Sequence, residues 1–307
     1  MREDGTRGTD AEPWAPQNVS PGWHVWGPGD ARSWVGVPSA DEDKYSRGVL
    51  GVITGSEKYP GAAVLSVDSA VRTGIGMVRY FGPSPATQLV LARRPEAVCQ
   101  AGHVSAWLVG SGMGAETRDS DLTAAGTDRE FSQALESGLP VVLDAGALDV
   151  FGRVTGPFVV TPHYRELSLH FASVPGPSPG FDEIAAVPWE WAARAADSFG
   201  GTVLLKGSTT YIASPGGSAR LAAVSAPNWL ATAGTGDVLA GIVGSLIATH
   251  SDLIKRDSGV LAPLAASAAV IHGLAGERAS RGGPVAALDV AEAVPATIAD
   301  LIAVAGR

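Results

Sequence analysis

The sequence of 307 residues contains a single cysteine, Cys99. One cysteine cannot form an internal disulfide or by itself hold a structural zinc ion, and it fits a reducing compartment, so we expect a cytoplasmic protein. Basic residues are also scarce, with 22 Lys and Arg against 31 Asp and Glu and a net charge of -9. Because non-specific binding to nucleic acid needs an excess of cations, no nucleic-acid partner is expected.

The sequence also lacks a long apolar segment suited to export or to a membrane. Residues 1–30 hold no continuous apolar stretch of the kind that a signal peptide requires. The longest uncharged run near the C-terminus, 258–276, is rich in Ala, Gly and Ser and includes Pro263 and His272. This composition favours a buried helix over a bilayer span, so no membrane partner is predicted.

Apolar residues make up 45% of the chain and charged residues only 17%. This apolar content is enough for a large hydrophobic core. Residues 1–40 differ from the rest because they are rich in Gly, Pro and Asp and hold four of the eight tryptophans. We predict that residues 1–40 form an arm that packs on its own domain or on a neighbouring subunit, the alternative being a partly disordered leader. Residues 41–307 are predicted to form one domain. The four tryptophans are Trp14, Trp23, Trp26 and Trp34.

From about residue 47, short apolar runs alternate with helical stretches. Strands that are apolar throughout indicate a sheet covered on both faces, and strands separated by helices indicate right-handed β-α-β crossovers. The pattern therefore predicts a three-layer α/β/α fold with a mostly parallel central sheet. The predicted strands are 49–54, 77–81, 107–109, 141–143, 158–160 and 202–205, with a hairpin of 209–213 and 221–224. The clearest predicted helices are 61–73, 238–249, 260–279 and 289–304.

Five of these strands end in glycine-rich or polar segments. Ligands of open α/β sheets bind beyond the carboxyl ends of the strands, so five such ends predict one cleft along a single edge. The segments are Gly55-Ser56, Gly110 to Gly114, Asp144, Thr161-Pro162-His163 and Lys206-Gly207-Ser208.

The strongest motif is Gly234-Thr235-Gly236-Asp237, which directly precedes an apolar helix. Its glycines allow a tight turn that exposes successive N–H groups, and these groups with the positive end of the helix form an anion site. Asp237 would then lie beside the anion, where it can take a proton from an attacking hydroxyl. The alternative is an ordinary helix cap. The segment matches neither a Walker loop nor a dinucleotide fingerprint.

Taken in order, these segments resemble the NAD(P)H-hydrate dehydratases of the ribokinase-like superfamily, which repair hydrated nicotinamide cofactors. The G-x-G-D motif alone would indicate only the superfamily, but the ordered set with Thr-Pro-His and Lys-Gly-x-x-Thr is more specific. The resemblance runs from about Gly48 to the C-terminus. Its segments are GVLGVITGSEKYPGAAVLSVDSAVRTGIGMVRYFGP (48–83), LVGSGMG (108–114), VVLDAGAL (141–148), VVTPHYREL (159–167), TVLLKGSTTYIASPGG (202–217) and NWLATAGTGDVLAGIVGSL (228–246).

The resemblance implies a ribokinase-like fold and a role for each matching residue. Asp237 would be the catalytic base, lying against the hydroxyl of the hydrate. Ala62, Gly112 and His163 would line the site for the hydrated dinucleotide together with Asp237. The nucleotide would be held by Lys206, Gly207, Ser208, Thr209, Thr210, Gly234, Thr235 and Gly236.

The reaction implied by the resemblance converts the S form of hydrated NADH or NADPH (NADHX, NADPHX) back to NADH or NADPH. A nucleotide phosphate activates the C6 hydroxyl of the damaged ring, and the phosphorylated hydroxyl then leaves as phosphate. Bacterial members typically use ADP and release AMP, whereas eukaryotic members use ATP, and Mg²⁺ is expected with the nucleotide. The remaining histidines show no metal-ligand spacing, so no protein metal site is predicted.

Three segments depart from the family pattern, of which the change to Gly110-Ser111-Gly112-Met113-Gly114 from the usual Gly-Pro-Gly-Leu-Gly is mild. Gly146 stands where the family commonly has the second acid of Asp-Ala-Asp-Ala-Leu, which is expected to weaken metal or substrate contacts. Tyr164-Arg165 replaces the Pro-Gly that usually follows Thr-Pro-His. Some members carry a fused epimerase, but residues 1–40 are too few for one, so we expect a separate epimerase. A homo-oligomer is also expected, a tetramer by analogy.

Two other functions remain open on the sequence. The first is a small-molecule kinase of the same fold that phosphorylates a vitamin precursor. The second is a non-catalytic nucleotide-binding relative, which the altered positions around Gly146 and Tyr164 leave possible. A kinase would leave a stable phosphorylated product, whereas a dehydratase would release inorganic phosphate.

Overall fold

The computed structural model describes residues 19–223 and 227–303. Its strands are β1 (His24–Trp26), β2 (Val49–Ile53), β3 (Met77–Tyr80), β4 (Ala106–Val109), β5 (Val141–Leu143), β6 (Phe158–Val160), β7 (Thr202–Leu205), β8 (Thr210–Ala213) and β9 (Arg220–Ala223). Its helices are α1 (Pro28–Arg32), α2 (Pro60–Arg72), α3 (Ser84–Arg93), α4 (Arg118–Ala125), α5 (Asp128–Glu136), α6 (Tyr164–Ser173), α7 (Phe181–Ala186), α8 (Pro188–Phe199), α9 (Thr235–Thr249), α10 (Ser251–Arg256), α11 (Leu261–Ser280) and α12 (Ala287–Ala303). Two of the predicted boundaries, at residues 224 and 304, lie outside the described residues.

The strands form one sheet in the order β1-β9-β8-β7-β6-β5-β4-β2-β3. Neighbouring strands are parallel except where β8 pairs with β7 and with β9, so among the described strands β8 alone runs against the others. This arrangement confirms the predicted, mostly parallel sheet. It also brings the carboxyl ends of β2 to β7 to the same edge.

Both faces of the sheet are covered. Along β2, Leu50 and Val52 belong to one core cluster and Val49 and Ile53 to another, as the alternation of side chains in a strand requires. The first cluster includes buried residues of α2, α9, α11 and α12, and the second includes those of α5, α6 and α8. The predicted three-layer α/β/α architecture is therefore confirmed.

The described part of the arm packs on its own chain. Strand β1 pairs with β9 and extends the sheet by one edge strand. The Trp26 Nε1 donates a hydrogen bond to Ser267 Oγ at 3.0 Å, and the Trp23 ring meets Tyr211 edge-to-face. Trp14 lies outside the described residues. The domain boundary at residue 40 stays a prediction.

One helical segment, Ser258–Ser280, is long and apolar enough to cross a membrane by length and composition. In the structure, 83% of the most apolar 18-residue stretch of this segment is buried inside the protein. Its apolar side chains are therefore used in the core, against the sheet and against α9 and α12.

Helices α2 and α9 lie unusually close together. Gly241 of α9 is packed so tightly against Ser66 and Ser69 of α2 that a Cβ at this position would overlap both of them. The Gly234 turn at the start of α9 likewise contacts Leu65 of α2. These contacts hold the beginning of α9 at the carboxyl edge of the sheet, next to the start of α2.

Candidate active site

Helix α9 begins in a turn built from the Gly234-Thr235-Gly236-Asp237 motif. Gly234 has a left-handed backbone, with φ of 90°, which favours glycine. The Thr235 Oγ1 donates to the carbonyls of Leu230, at 2.8 Å, and Thr232, at 3.0 Å. The Thr235 hydroxyl thus holds the preceding loop in place. The groups that remain to bind an anion at this turn are the main-chain N–H groups of the first turn of α9.

Asp237 lies in the first turn of α9 and is half-buried. Burial and the negative charge of Asp144 raise the pKa of Asp237 to about 7, and the positive charge of Lys206 opposes that rise. No hydrogen bond ties its carboxylate to a main chain within the described residues. A carboxylate with a pKa near neutrality is suited to act as a general base.

The buried Asp144 forms an ion pair with the half-buried Lys206 at the centre of this edge. The Lys206 Nζ lies 3.0 Å from Asp144 Oδ1 and 3.9 Å from Glu166 Oε2. Thr161 Oγ1 donates to Asp144 Oδ1 at 2.6 Å, and Ser111 Oγ donates to Asp144 Oδ2 at 2.7 Å. Every oxygen of the buried carboxylate is therefore satisfied, as burial of a charge requires.

Asp144 and Lys206 each stabilise the charged form of the other. Burial alone would raise the pKa of Asp144, but Lys206 and the two hydroxyl donors outweigh it and hold the pKa below its ordinary value. Burial alone would lower the pKa of Lys206, but Asp144, Glu166 and Asp237 outweigh it and keep the pKa above its ordinary value. The lysine is therefore positively charged in the cleft, with Gly236 of the anion turn beside its Nζ.

His163 caps helix α6. Its Nδ1 accepts a hydrogen bond from the main-chain N–H of Glu166, and the His163 N–H donates to Glu166 Oε2 at 2.8 Å. Because Nδ1 accepts, the neutral ring carries its hydrogen on Nε2. The side chain is 49% exposed, so Nε2–H can donate to a ligand in the cleft while the cap stays intact.

Ala62 and Gly112, predicted to line the substrate site, contact each other. A Cβ at Gly112 would overlap the Ala62 Cβ, and the backbone of Gly112 is left-handed, with φ of 68°. Ser56 Oγ donates to the Gly112 carbonyl at 2.9 Å, and the preceding residue, Ser111, bonds to Asp144. A continuous row of contacts thus runs from Lys206 to Ala62.

The other predicted nucleotide residues form the turn that joins β7 to β8. Gly207 lies directly against the Tyr164 hydroxyl, so a side chain at 207 would displace Tyr164. Ser208 is exposed, Thr209 is half-buried, and Thr210 begins β8. The turn follows Lys206 at the carboxyl end of β7, so its polar groups face the same edge as Asp237.

His272 of α11 is a residue of this region that sequence analysis did not assign. It is 8% exposed, and its Nε2 has no hydrogen-bond partner within the described residues. Burial, together with the positive charge of Lys206, lowers the pKa of His272 to about 4, although the Thr235 main chain opposes that shift. A neutral imidazole thus lies behind the anion turn. Its position in an apolar helical stretch gave no signal in the sequence.

Gly146 is the position where the family's second acid is missing. Its backbone lies against the Met113 carbonyl, and a Cβ at Gly146 would overlap that oxygen. The Gly146 carbonyl accepts a hydrogen bond from Arg118 Nη1 at 2.7 Å, and the same guanidinium pairs with Asp149. This chain therefore has no room for a carboxylate at 146 without moving the neighbouring loop.

Within residues 19–223 and 227–303, no group of three or more His, Cys, Asp or Glu side chains could hold a metal ion. The Asp144 carboxylate, at the end of β5, is already occupied by Lys206, Thr161 and Ser111. The residues present therefore do not form a resident cation site. A magnesium ion here would have to be carried by phosphate oxygens and water, as is common for Mg²⁺.

Comparison with known proteins agrees with this geometry. Residues 50–295 match the family model described as NAD(P)H-hydrate dehydratase. The chain is 44% identical over 231 residues to the bifunctional NAD(P)H-hydrate repair enzyme Nnr of Mycobacterium leprae, covering 71% of this chain and 45% of that one. It is 32% identical over 260 residues to the ADP-dependent (S)-NAD(P)H-hydrate dehydratase of Neisseria meningitidis, covering 74% of this chain and 83% of that one.

Solved structures share the fold. The ADP/ATP-dependent NAD(P)H-hydrate dehydratase of Bacillus subtilis, co-crystallised with ATP and Mg²⁺, superposes with a TM-score of 0.74 at 23% identity, over 92% of this chain and all of that one. A ribokinase-like superfamily protein of Enterococcus faecalis gives a TM-score of 0.73 at 20% identity, over 94% of this chain and 99% of that one. The chain spans about half the length of the mycobacterial relative. On its sequence and its family match, the chain belongs to the NAD(P)H-hydrate dehydratase family.

Proposed function

We propose that the protein dehydrates the S form of NADHX and NADPHX to NADH and NADPH, using ADP and releasing AMP and phosphate. Family membership and the name of the Neisseria meningitidis relative support the reaction and the nucleotide. The observation that carries the proposal is Asp237, a carboxylate whose pKa is about 7, placed at the start of α9 beside Lys206.

The first step proposed is phosphoryl transfer. Asp237 takes the proton of the C6 hydroxyl as the hydroxyl oxygen attacks the terminal phosphorus of ADP, and the bond between that phosphorus and the AMP oxygen breaks. Lys206 and the N–H groups at the start of α9 stabilise the charge on the phosphate oxygens. Positioning and charge neutralisation dominate reactions of this kind, so one base is sufficient.

The second step proposed is elimination. The C6–O bond breaks and phosphate departs with the electron pair, while the ring loses a proton from C5 and the C5–C6 double bond forms. A hydroxyl leaves poorly at neutral pH, whereas phosphate leaves readily, which explains the use of a nucleotide. The overall change converts hydrated dinucleotide and ADP into reduced dinucleotide, AMP, phosphate and a proton.

The positions of the side chains and turns suggest which residues bind the nucleotide and which bind the hydrated dinucleotide. The Lys206–Thr210 turn and Gly234–Gly236 are proposed to hold the nucleotide, which brings its own Mg²⁺. Ala62, Gly112 and His163 are proposed to hold the hydrated dinucleotide, and the Nε2–H of His163 is the hydrogen-bond donor among them. ATP as an alternative nucleotide is suggested by the ADP/ATP-dependent dehydratase of Bacillus subtilis, which shares the fold.

Three further properties remain proposals: a tetrameric homo-oligomer, a separate epimerase and a cytoplasmic location. The single cysteine supports a reducing location. Light scattering of the purified protein tests the oligomer. The epimerase proposal is tested by supplying the R form alone, which the protein should leave unchanged until an epimerase is added.

The reaction is tested by product analysis with purified protein, (S)-NADHX, ADP and MgCl₂. We expect absorbance at the reduced-nicotinamide band to return, with one AMP and one phosphate released for each NADH formed. A phosphorylated product that persists without phosphate release would instead indicate the kinase alternative. Absence of both products, with ADP still bound, would indicate the non-catalytic alternative.

A further inference from the structure

A cavity of about 280 Å³ lies at the carboxyl ends of β2, β3 and β4, outside the row of contacts described above. Helix α4 and the loop after β3 close its sides. Its wall is partly apolar, with Phe81, Met113 and Ala125, and partly polar, with Ser56, Glu57 and Asp121. A mixed wall of this kind suits a group that has both a flat apolar face and hydroxyls.

The cavity adjoins the residues that are predicted to line the substrate site. Ser56 lines it and donates a hydrogen bond to the Gly112 carbonyl at 2.9 Å. Gly55 also lines the cavity and lies against Gly112 and Ala63, and Met113, the next residue after Gly112, forms part of the wall. A ligand that contacts Ala62 and Gly112 would therefore reach the cavity directly.

The spacing of the sheet separates the far side of this cavity from the reacting end. In the sheet order, β4 lies beside β5, which carries Asp144 at its end, and β3 lies three strands from β5. With neighbouring strands about 4.8 Å apart, the cavity therefore extends from next to β5 to about 14 Å away from it. A substrate of two nucleotides has a second end that must lie well away from its nicotinamide ring, and this cavity offers such a place along the same edge.

The charged groups of the wall are all acidic. Glu57 and Asp121 line the cavity, and no Lys or Arg is among its described lining residues. The nearby Lys58 lies over the ring of Tyr59 and is not part of the wall. A carboxylate can accept hydrogen bonds from the two hydroxyls of a ribose, whereas a phosphate on the 2′ oxygen would meet only like charge.

We propose, on the basis of the proposed function, that this cavity receives the adenosine ribose of the hydrated dinucleotide. Its two carboxylates, Glu57 and Asp121, select NADHX over NADPHX. Asp121 is held in place by the Thr117 hydroxyl, which donates to its Oδ2 at 3.0 Å, so one oxygen remains for the ribose.

Occupation of the cavity by the substrate is tested by filling it. Ala125 ends α4 and lines the cavity, so Ala125→Trp places a large ring in the space. We expect KM for NADHX to rise about tenfold while KM for ADP stays unchanged, because only the dinucleotide loses a subsite. An unchanged KM for NADHX in a folded variant, or an equal rise for ADP, would contradict the proposal.

Selectivity is tested by comparing kcat/KM for (S)-NADHX and (S)-NADPHX. The wild-type protein should favour NADHX by about tenfold, because a 2′ phosphate meets two carboxylates. The double variant Glu57→Gln with Asp121→Asn should raise kcat/KM for NADPHX and reduce that preference at least about threefold.

The matched control is Glu116→Gln with Asp41→Asn, which removes the same number of charges from exposed positions outside the cavity. This control should leave the preference unchanged. Equal use of both substrates by the wild-type protein, or equal shifts in both double variants, would overturn the selectivity. Absence of turnover with either substrate would instead refute the proposed function.

Discussion

At the scale of single residues, the pKa of Asp237 is set first by burial and then by two neighbours of opposite charge. Asp144 raises the pKa of Asp237 and Lys206 lowers it, with burial as the largest influence. Because the proposed base must be ionised, activity should fall on the acid side of about pH 7. The position of that fall therefore reports on the environment of Asp237.

The first prediction concerns Asp144→Asn. Loss of the negative charge lowers the pKa of Asp237, so the acid limb of kcat/KM should move to lower pH. Thr161 donates to one carboxylate oxygen of Asp144 and Ser111 to the other, so the single amide oxygen of the variant keeps one of these two hydrogen bonds. A pH–rate profile from pH 5 to 9 measures the shift, and Lys206→Met should move the limb in the opposite direction. A limb that stays in place in both variants would contradict the assignment.

The second prediction concerns stability. An unfolded aspartate loses its proton near pH 4, whereas folded Asp237 does so near pH 7. Between these values the folded state binds more protons, so this group makes the protein less stable as pH rises. Asp237→Asn removes that cost and should stabilise the fold by about 1–2 kcal/mol at pH 8, after allowance for partial exposure. Urea unfolding at pH 8 and pH 3 tests this, since the gain should vanish below the pKa of the unfolded aspartate.

At the scale of elements, the placement of Asp237 depends on how closely α9 approaches α2. Gly241 allows the two helices to touch at Ser66 and Ser69. The same approach fixes the Gly234 turn against Leu65. A change in the packing of α9 on α2 should therefore shift the Gly234 turn as well.

The third prediction is that Gly241→Ala destabilises the protein by about 1–3 kcal/mol, because the added methyl group overlaps the α2 backbone. The shift of α9 should also raise KM for ADP. Gly61→Ala is the matched control, since a Cβ at Gly61 meets open space. Equal free energies of unfolding for both variants would contradict the prediction, because α9 and α2 could then move apart without loss of stability.

The elements that sequence analysis predicted well are those with strong local patterns. Strands β5, β6 and β7 have the predicted bounds because each is a short, wholly apolar run. Strand β1 was not predicted, since its three residues, His24–Trp26, form a strand only by pairing with β9. Pairing between positions far apart in the chain leaves no local signal.

The same limit applies to the site. The sequence placed Asp144 and Lys206 at strand ends, and the structure shows that they pair across 62 positions. The neighbours that complete the network are Thr161, directly after β6, and Ser111, two residues after β4. Both lie in segments predicted to line the cleft, but neither was assigned a role of its own. His272 was missed because the α11 pattern is one of burial, and only the fold brings its ring behind Thr235.

At the scale of the whole molecule, the sheet joins an arm at one edge to a cleft along its carboxyl ends. Strand β1 lies three strands from β7, which carries Lys206 at its end. Trp26 contacts Ser267 of α11 on this distant side. The edge strand should therefore contribute to stability rather than to catalysis.

The fourth prediction follows from that separation. Trp26→Ala should lower the free energy of unfolding by about 2–4 kcal/mol, through lost packing and the lost hydrogen bond to Ser267. Turnover at a temperature where the variant is folded should stay unchanged. Val37→Ala, at an exposed position of the same arm, is the control and should change neither quantity. Loss of turnover without loss of stability would place the arm in the site.

The central claim is that Asp237 is the base that takes the proton of the substrate hydroxyl beside the bound nucleotide. The most direct measurement is the turnover of (S)-NADHX by wild-type protein and Asp237→Asn, with the ADP-induced rise in melting temperature measured for both. We expect kcat to fall about 10²–10⁴-fold in the variant while ADP still raises the melting temperature of both proteins. Turnover by the variant close to that of the wild type would contradict the account.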